Sequence, residues 1–260
     1  MNNTRLHPAK IELSDLSAAI ESGWDLFRLI PLPSIIYASV AAMIGFILLF
    51  SIGALGFSPM SLPFVGGFML IAPAMLTGFF QLAESVLTDT KPTVSTPFVA
   101  FVRTPLQTWM IAIFCTFMFL IWITDAGVLY SFIIGGAHLP YELPWILKAD
   151  EKIASFWFWG ALMGSILAFI IFCVSAFSVP ILFEGRGDLV QAVHASVRAV
   201  FKNLFTAILW GLILSLSILI AILFLPLLLV VLPVMAYASF ALYRTVYPHI
   251  QSEPEDSALN

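Results

Sequence analysis

Charged residues are scarce in this chain of 260 residues, where they make up 10% of the sequence. Soluble domains carry about 25%. Apolar residues take their place and reach 61%, against about 45–50% in soluble domains. A soluble fold of this length still exposes to water about a quarter of the surface that its unfolded chain exposes, so it cannot bury so much apolar area. The composition excludes a soluble protein and predicts an integral membrane protein.

Basic residues, cysteines and histidines are also few. The 11 Lys and Arg are spread along a chain of net charge −4, which excludes a nucleic-acid-binding surface. Cys115 and Cys173 lie in apolar runs and are predicted to be buried and unpaired. A catalytic haem or copper subunit needs histidines inside its spans, but all four histidines lie in predicted tails, loops or a surface helix: His7, His138, His194 and His249. We therefore predict no cofactor and no metal site.

Apolar runs long enough to cross a bilayer, about 20 residues each, are predicted six times. The last two share the stretch 204–247, which is twice the length of one span and is predicted to turn back at Pro226. The others lie at about 33–56, at about 63–86 after a turn at Ser58-Pro59, from Pro105 onward, and at about 154–183. The predicted fold class is an all-α polytopic membrane protein with six transmembrane helices, in a membrane domain of residues 14–247.

The distribution of basic residues predicts the orientation, because cytoplasmic loops are enriched in Lys and Arg. Six spans place Lys148 and Lys152 on one side. The other nine share the side of the N-terminus: Arg5, Lys10, Arg28, Lys91, Arg103, Arg186, Arg198, Lys202 and Arg244. Acidic residues early in the chain, such as Glu12 and Asp15, argue against a cleavable signal peptide. Residues 1–13 and 248–260 are thus predicted to be cytoplasmic tails.

Two segments that precede spans are amphipathic. In DLSAAIESGWDLFRLI the apolar positions step by three or four residues, as one helix face does: Leu16, Ile20, Trp24 and Phe27. DLVQAVHASVRAVFKN repeats the pattern: Leu189, Val193, Val197 and Val200. Asp188 is the predicted N-cap of the second helix, with Gln191 at the N3 position. Helices of this kind, attached directly to spans, are predicted to lie in the cytoplasmic interface.

The two amphipathic segments also resemble each other, which predicts an internal repeat. Asp15-Leu16 aligns with Asp188-Leu189. Further along, Pro73 aligns with Pro233, Phe80 with Phe240 and Glu84 with Arg244. A shorter copy begins at STPFVAFVRTP. The predicted unit is an interfacial helix followed by a transmembrane hairpin, used at about 15–86, 95–183 and 188–247, with every unit starting on the same face of the membrane.

Beyond this layout, several short segments are informative: Gly23-Trp24, Pro33-Ser34-Ile35-Ile36-Tyr37, Leu62-Pro63, Gly66-Gly67-Phe68, Ala72-Pro73, Ser175, Val179-Pro180 and the 188–198 helix. Through them, over roughly residues 12–247, the chain resembles the DUF2189 family of predicted bacterial integral membrane proteins. More distantly the chain is similar to the YciC-like six-span proteins. The resemblance implies a bacterial inner-membrane location and implies no activity.

Four polar residues near predicted span ends are the candidate functional sites: Gln81, Glu84, Asp125 and Arg244. Intramembrane ionisable residues often mark ion or proton pathways. Glu84 with Gln81 is therefore interpreted either as part of a relay or as one half of an interfacial ion pair with Arg244, and the ion pair is favoured. Asp125 would gate a cavity, end in solvent or cap a following helix.

Motifs typical of hydrolases, metalloproteases and phosphate loops are absent from the sequence, so no catalytic residue is predicted and the protein is not expected to be an enzyme. The favoured hypothesis is a non-catalytic scaffold or accessory subunit, whose partners are membrane lipids and another membrane protein or complex. The alternative is a small transporter or channel for an apolar or amphipathic solute, with a lumen lined by Thr77, Gln81, Ser175 and Tyr237. A lipid-modifying enzyme ranks last, because no nucleophile–base pair is found.

Overall fold

The computed structural model describes residues 6–55, 61–133 and 151–248, and the regular structure of these residues is entirely helical. The all-α prediction is therefore confirmed. The predicted turn at Ser58-Pro59, Lys148 and the outermost parts of both tails lie outside the described residues. The helices are α1 (Leu13–Leu29), α2 (Pro31–Leu55), α3 (Ser61–Leu87), α4 (Thr96–Val102), α5 (Leu106–Ile133), α6 (Glu151–Ser175), α7 (Ser178–Phe183), α8 (Leu189–Lys202), α9 (Leu204–Leu223) and α10 (Leu228–Val246).

Four stretches of helix are long and apolar enough to cross a bilayer: Leu106–Ile133, Ala154–Phe183, Leu204–Ala221 and Leu228–Val246. The number rises to five if α1 and the first part of α2 form one broken span. Helices α2 and α3 are 25 and 27 residues long, or about 40 Å each at 1.5 Å per residue. The described residues thus contain four or five candidate spans, and the count of six remains a prediction. The predicted turn at Pro226 is confirmed, since the 3-10 helix Leu225–Leu227 separates α9 from α10.

Helix α1 meets α2 at an angle of 103°, so it runs nearly perpendicular to the helix that follows it. Its buried face is rotated from the predicted one and includes Ala19 and Gly23, while Trp24 is exposed. The cause is close packing on α10, where a Cβ atom at Gly23 would lie 2.5 Å from the Val234 carbonyl oxygen. Small residues face α10 because larger ones would not fit.

Helix α8 begins as the sequence predicts. The Asp188 carboxylate accepts from the Gln191 backbone N–H at 2.8 Å, and the Gln191 side chain accepts from the Asp188 backbone N–H at 3.2 Å. The predicted fourth span, in contrast, is interrupted between α6 and α7. There the Ser196 hydroxyl of α8 donates to the Cys173 carbonyl and accepts from the Phe177 backbone N–H, which satisfies backbone groups that the interruption exposes.

The amphipathic helices pack in a recurring way. Helix α1 contacts α10, α4 contacts α3, and α8 contacts both α6 and α7. Each short helix thus lies against the closing helix of another predicted unit. Hairpin contacts join α2 to α3, α5 to α6 and α9 to α10. The closing helices α3 and α10 also contact each other, and α7 contacts α3, so the candidate site lies where these three helices meet.

Candidate functional site

Three phenylalanines meet where α3, α7 and α10 converge. The Phe80 and Phe240 rings stack with centroids 4.9 Å apart. Phe183 contacts both of them edge-on, at 5.8 Å from Phe80 and 5.9 Å from Phe240. Phe80 and Phe240 are almost fully buried, so this aromatic triad closes the space between the three helices with tightly packed apolar surface.

Glu184, directly after the triad's Phe183, is the centre of an ion-pair network. Its side chain is only 4% exposed. One carboxylate oxygen, Oε1, lies 3.0 Å from Arg244 Nη2 and accepts from Arg244 Nε at 3.1 Å. The other, Oε2, accepts from the Tyr243 hydroxyl at 2.6 Å. Buried carboxylates are tolerated when they are paired and hydrogen-bonded in this way.

Arg186 connects this network to the end of α10. Its Nη1 lies 3.6 Å from Glu184 Oε2 and donates to the Tyr243 hydroxyl at 3.1 Å and to the Tyr247 carbonyl at 2.6 Å. The chain reverses between Glu184 and Arg186 at Gly185, whose φ of +64° is a conformation that favours glycine. The Tyr247 hydroxyl in turn donates to the Ala195 carbonyl of α8 at 2.8 Å.

The sequence-predicted partners Glu84 and Arg244 do come together. Arg244 Nη2 lies 3.9 Å from Glu84 Oε1, which is at the outer limit of an ion pair. The Glu84 side chain is 35% exposed, and Glu184 is the closer and more buried partner of Arg244. Two carboxylates and two guanidinium groups therefore balance each other in what we call the charge cluster, consisting of Glu84, Glu184, Arg186 and Arg244.

The fourth predicted site, Asp125, lies apart from the charge cluster. Helix α5 continues past it to Ile133, so Asp125 does not cap a new helix, and that alternative is wrong. The helix extends because the residues after Asp125 are apolar and none of them is proline. Asp125 is partly buried, and its role in gating a cavity stays a prediction.

Gln81 lines a cavity beside the aromatic triad. The cavity has a volume of about 480 Å³ and lies between α3, α4 and the start of α5. Its polar lining consists of Thr77, Gln81, Ser95, Thr96, Arg103 and Thr104. We call it the α3–α4 groove. The Thr77 and Thr104 hydroxyls share a hydrogen bond of 2.8 Å, which links the two helices at the base of the groove.

The four residues predicted to line a transport lumen do not share this groove. Thr77 and Gln81 line it. Tyr237 is fully buried and its hydroxyl lies 2.6 Å from the Ser34 hydroxyl. Ser175 donates to the Ile171 carbonyl of its own helix. The four residues therefore do not line one lumen in the described part of the chain. Two lie in the α3–α4 groove, and the other two make separate contacts elsewhere.

Glu184, Arg186 and Arg103 were not predicted as site residues. In the sequence, the segment containing Glu184 and Arg186 is typical of a simple surface turn, and Glu184 is not part of a periodic helical pattern. One signal is present in the sequence: Glu184 is a charged residue close to a phenylalanine at the end of the second unit, although it comes one residue after Phe183, whereas Glu84 and Arg244 come four residues after Phe80 and Phe240. In the described parts of the chain, no three His, Cys, Asp or Glu side chains cluster at metal-binding distances.

These features define a helical integral membrane protein with several apolar helices, whose closing helices are joined by aromatic packing and by the charge cluster. Residues 61–184 match the model of the family described as "Predicted integral membrane protein (DUF2189)". This match confirms the resemblance predicted from the sequence over residues 61–184 of the chain. The matched range contains the α3–α4 groove, Glu84 and Glu184, but ends before Arg244. No curated protein and no solved structure matches the chain.

Proposed function

We propose that this protein acts in the bacterial inner membrane as a non-catalytic scaffold or accessory subunit. The observation that carries the proposal is the filled junction of α3, α7 and α10. There the aromatic triad occupies the centre, and the adjacent charges neutralise each other within the charge cluster. A junction of this kind favours a rigid framework, because neither a proton relay nor a solute path needs such tight packing.

We also infer that the framework consists of three units with six spans. The support is the recurring placement of α1 on α10, α4 on α3, and α8 on α6 and α7. A ring of three units would produce this pattern, since each interfacial helix then rests on the last helix of the preceding unit. Phe80, Phe183 and Phe240 would lie on the common axis, where equivalent residues of the units meet.

The surface of the outer helices supports a role in interaction. In α5, only 22% of the 18 most apolar consecutive residues are buried within the chain, and the share is the same in α9. Exposed side chains along them include Phe117 on α5, and Leu212 and Leu216 on α9. In a membrane such surfaces contact lipid or another membrane protein, and they offer a large area for a helical partner.

Photo-crosslinking in intact membranes tests the scaffold role. A photoreactive amino acid at Leu212 or Leu216 should yield one discrete protein adduct, identifiable by mass spectrometry. The matched control is Ala207, which lies on the same helix and is buried, so it should react only within the chain. If the exposed positions yield lipid adducts alone, the protein has no stable partner there and the proposal fails.

A small transporter remains the second candidate because the α3–α4 groove holds Thr77 and Gln81, two of the predicted lumen residues. A thiol reagent that cannot cross membranes distinguishes the two candidates. In a variant lacking the buried Cys115 and Cys173, a cysteine at Gln81 should react from one side of the membrane if the groove is closed at its other end. Reaction from both sides would favour transport.

A further inference from the structure

The α3–α4 groove has a positive lining without a carboxylate. Arg103 is its charged residue, and none of the Asp and Glu side chains in the described part of the chain lines it. Among the described residues, neither the Arg103 guanidinium nor the Gln81 side-chain amide has a hydrogen-bond partner. The nearest carboxylate along α3 belongs to Glu84, one turn beyond Gln81, and Arg244 pairs with it. An anion entering the groove would therefore meet unused donors and a net positive field.

Hydroxyl groups supply further donors around Arg103. Ser95 and Thr96 line the groove, and their hydroxyls, which contact the Thr93 hydroxyl, can rotate to donate to an added acceptor. The Thr77 and Thr104 protons are engaged with each other and with backbone carbonyls. The first turn of α5 lies beside the groove, because α5 begins at Leu106 directly after Thr104 and Pro105. The positive end of that helix dipole adds to the field of Arg103. Guanidinium, amide and hydroxyl donors together suit a phosphate group.

An apolar stripe runs along α5 away from the groove. Leu106, Met110, Ile113 and Phe117 are all exposed and recur at helical spacing, so they share one face. In a membrane protein this face lies against acyl chains. The groove itself, at about 480 Å³, falls within the range of about 300–1,000 Å³ that is usual for ligand sites. A headgroup site and a surface for acyl chains are thus adjacent.

We propose that the α3–α4 groove binds the phosphate of an anionic glycerophospholipid, with Arg103 and Gln81 contacting the phosphate and the acyl chains lying along the α5 stripe. The proposal goes beyond the scaffold role and does not depend on it, because a bound lipid is compatible with either candidate function. A free phosphate ester would use the same donors but would leave the α5 stripe uncovered.

Lipid titration of the purified full-length protein in detergent tests the site, with native mass spectrometry as the readout. Phosphatidylglycerol should bind more tightly than phosphatidylcholine. Arg103→Gln should weaken phosphatidylglycerol binding about tenfold, as expected for the loss of one charge-assisted contact. Lys91→Gln is the matched control, because Lys91 is an exposed cation on the segment between α3 and α4 but does not line the groove. It should change binding less than twofold.

Equal losses for Arg103→Gln and Lys91→Gln would overturn the proposal, since binding would then reflect surface charge alone. Glycerol phosphate forms a second arm of the titration. If it competes fully with the lipid at equal concentration, the occupant is a free phosphate ester and the lipid assignment is wrong. Should Arg103→Gln fail to fold, a photoreactive residue at Val99, which lines the groove, must crosslink phosphatidylglycerol in the otherwise unchanged protein. The absence of that adduct would also refute the proposal.

Discussion

At the scale of single residues, Glu184 and Glu84 differ in burial and in the number of their partners. Glu184 accepts from Tyr243 and Arg244 and pairs with Arg186, whereas Glu84 is 35% exposed and reaches Arg244 at 3.9 Å. Removing one partner of a buried ion pair costs about 3–5 kcal/mol. An exposed pair contributes about 0–1 kcal/mol.

Glu184→Gln should therefore lower thermal stability in detergent far more than Glu84→Gln does. The neutral amide keeps the shape of the side chain but leaves Arg186 and Arg244 without their shared counter-charge. Unfolding followed by the fluorescence of buried aromatic residues measures both variants on one scale. Equal shifts in melting temperature would mean that Glu184 is not the centre of the charge cluster.

The same geometry predicts the outcome of exchanging Glu84 and Arg244. Glu84→Arg combined with Arg244→Glu preserves opposite charges at this pair. It also places a carboxylate against Glu184, which lies 3.0 Å from Arg244 in the native protein. The double variant should remain as unstable as Arg244→Glu alone, as measured by the melting temperature. Restored stability would show that Glu84, and not Glu184, is the main partner of Arg244.

Two glycines provide a matched pair for testing the contact between α1 and α10. A Cβ at Gly23 would meet the Val234 carbonyl oxygen at 2.5 Å and the Ala238 backbone nitrogen at 2.8 Å, whereas at Gly45 no atom of the described residues lies within 4 Å of one. Gly23→Ala should destabilise the protein by about 1–3 kcal/mol through overpacking. Gly45→Ala should be neutral or slightly stabilising, because alanine favours helix. Thermal unfolding compares them, and a similar loss in both variants would contradict the close approach.

At the scale of helices and connecting segments, the junction of α8 and α9 holds the N-terminal segment in place. The buried Asn203 accepts from the Ile11 backbone N–H at 2.8 Å and donates to the Ala9 carbonyl at 3.0 Å. Lys202 donates to the Pro8 carbonyl at 2.6 Å. The segment lies in the region predicted as a cytoplasmic tail, yet these contacts attach it to the third unit.

Asn203→Leu should release this segment while leaving the spans intact. Leucine has nearly the same volume but satisfies neither backbone group, and each buried group left unpaired costs about 1–3 kcal/mol. Hydrogen exchange at residues 6–12 should become much faster, with exchange in α10 largely unchanged. Lys202→Gln serves as a milder comparison, because it removes one partly buried contact and should produce a smaller effect. Unchanged protection at Ile11 in Asn203→Leu would refute the role assigned to Asn203.

The sequence predicted helix types and several boundaries well, because local chemistry determines them. Asp188 with Gln191 marked the start of α8, and Pro226 marked the turn before α10. The buried faces of α1 and α8 were less predictable, since they depend on how closely another helix approaches. The interruption after α6 has one local signal, Pro180, which cannot donate to the Ala176 carbonyl. The Ser196 hydroxyl that bonds the backbone there is not signalled locally, since it lies 19 residues from Phe177 and 23 from Cys173.

At the scale of the whole molecule, the charge cluster contains one pair that the sequence predicts, Glu84 with Arg244, and one central residue, Glu184, that it does not predict. Glu84 and Arg244 could be paired by aligning repeats, because both follow an aligned phenylalanine. Glu184 could not be placed in the same way, as the second unit matches the others weakly and its last helix is interrupted. Burial of a carboxylate is a tertiary property, which becomes visible only when three helices are brought together.

The arrangement of the predicted units leads to one test of the entire topology. If each unit is an interfacial helix followed by a two-span hairpin, Lys10, Lys91 and Lys202 lie on one side of the membrane and Lys148 lies on the other.

Single cysteines at these positions, in a variant with Cys115 and Cys173 replaced by alanine, can be labelled in intact cells by a reagent that does not cross the inner membrane. Because positive residues are retained in the cytoplasm, Lys148→Cys should react and the other three only after the membrane is permeabilised. Labelling of Lys91→Cys in intact cells would require an odd number of spans before α4, and both the hairpin units and the common location of the interfacial helices would then be wrong.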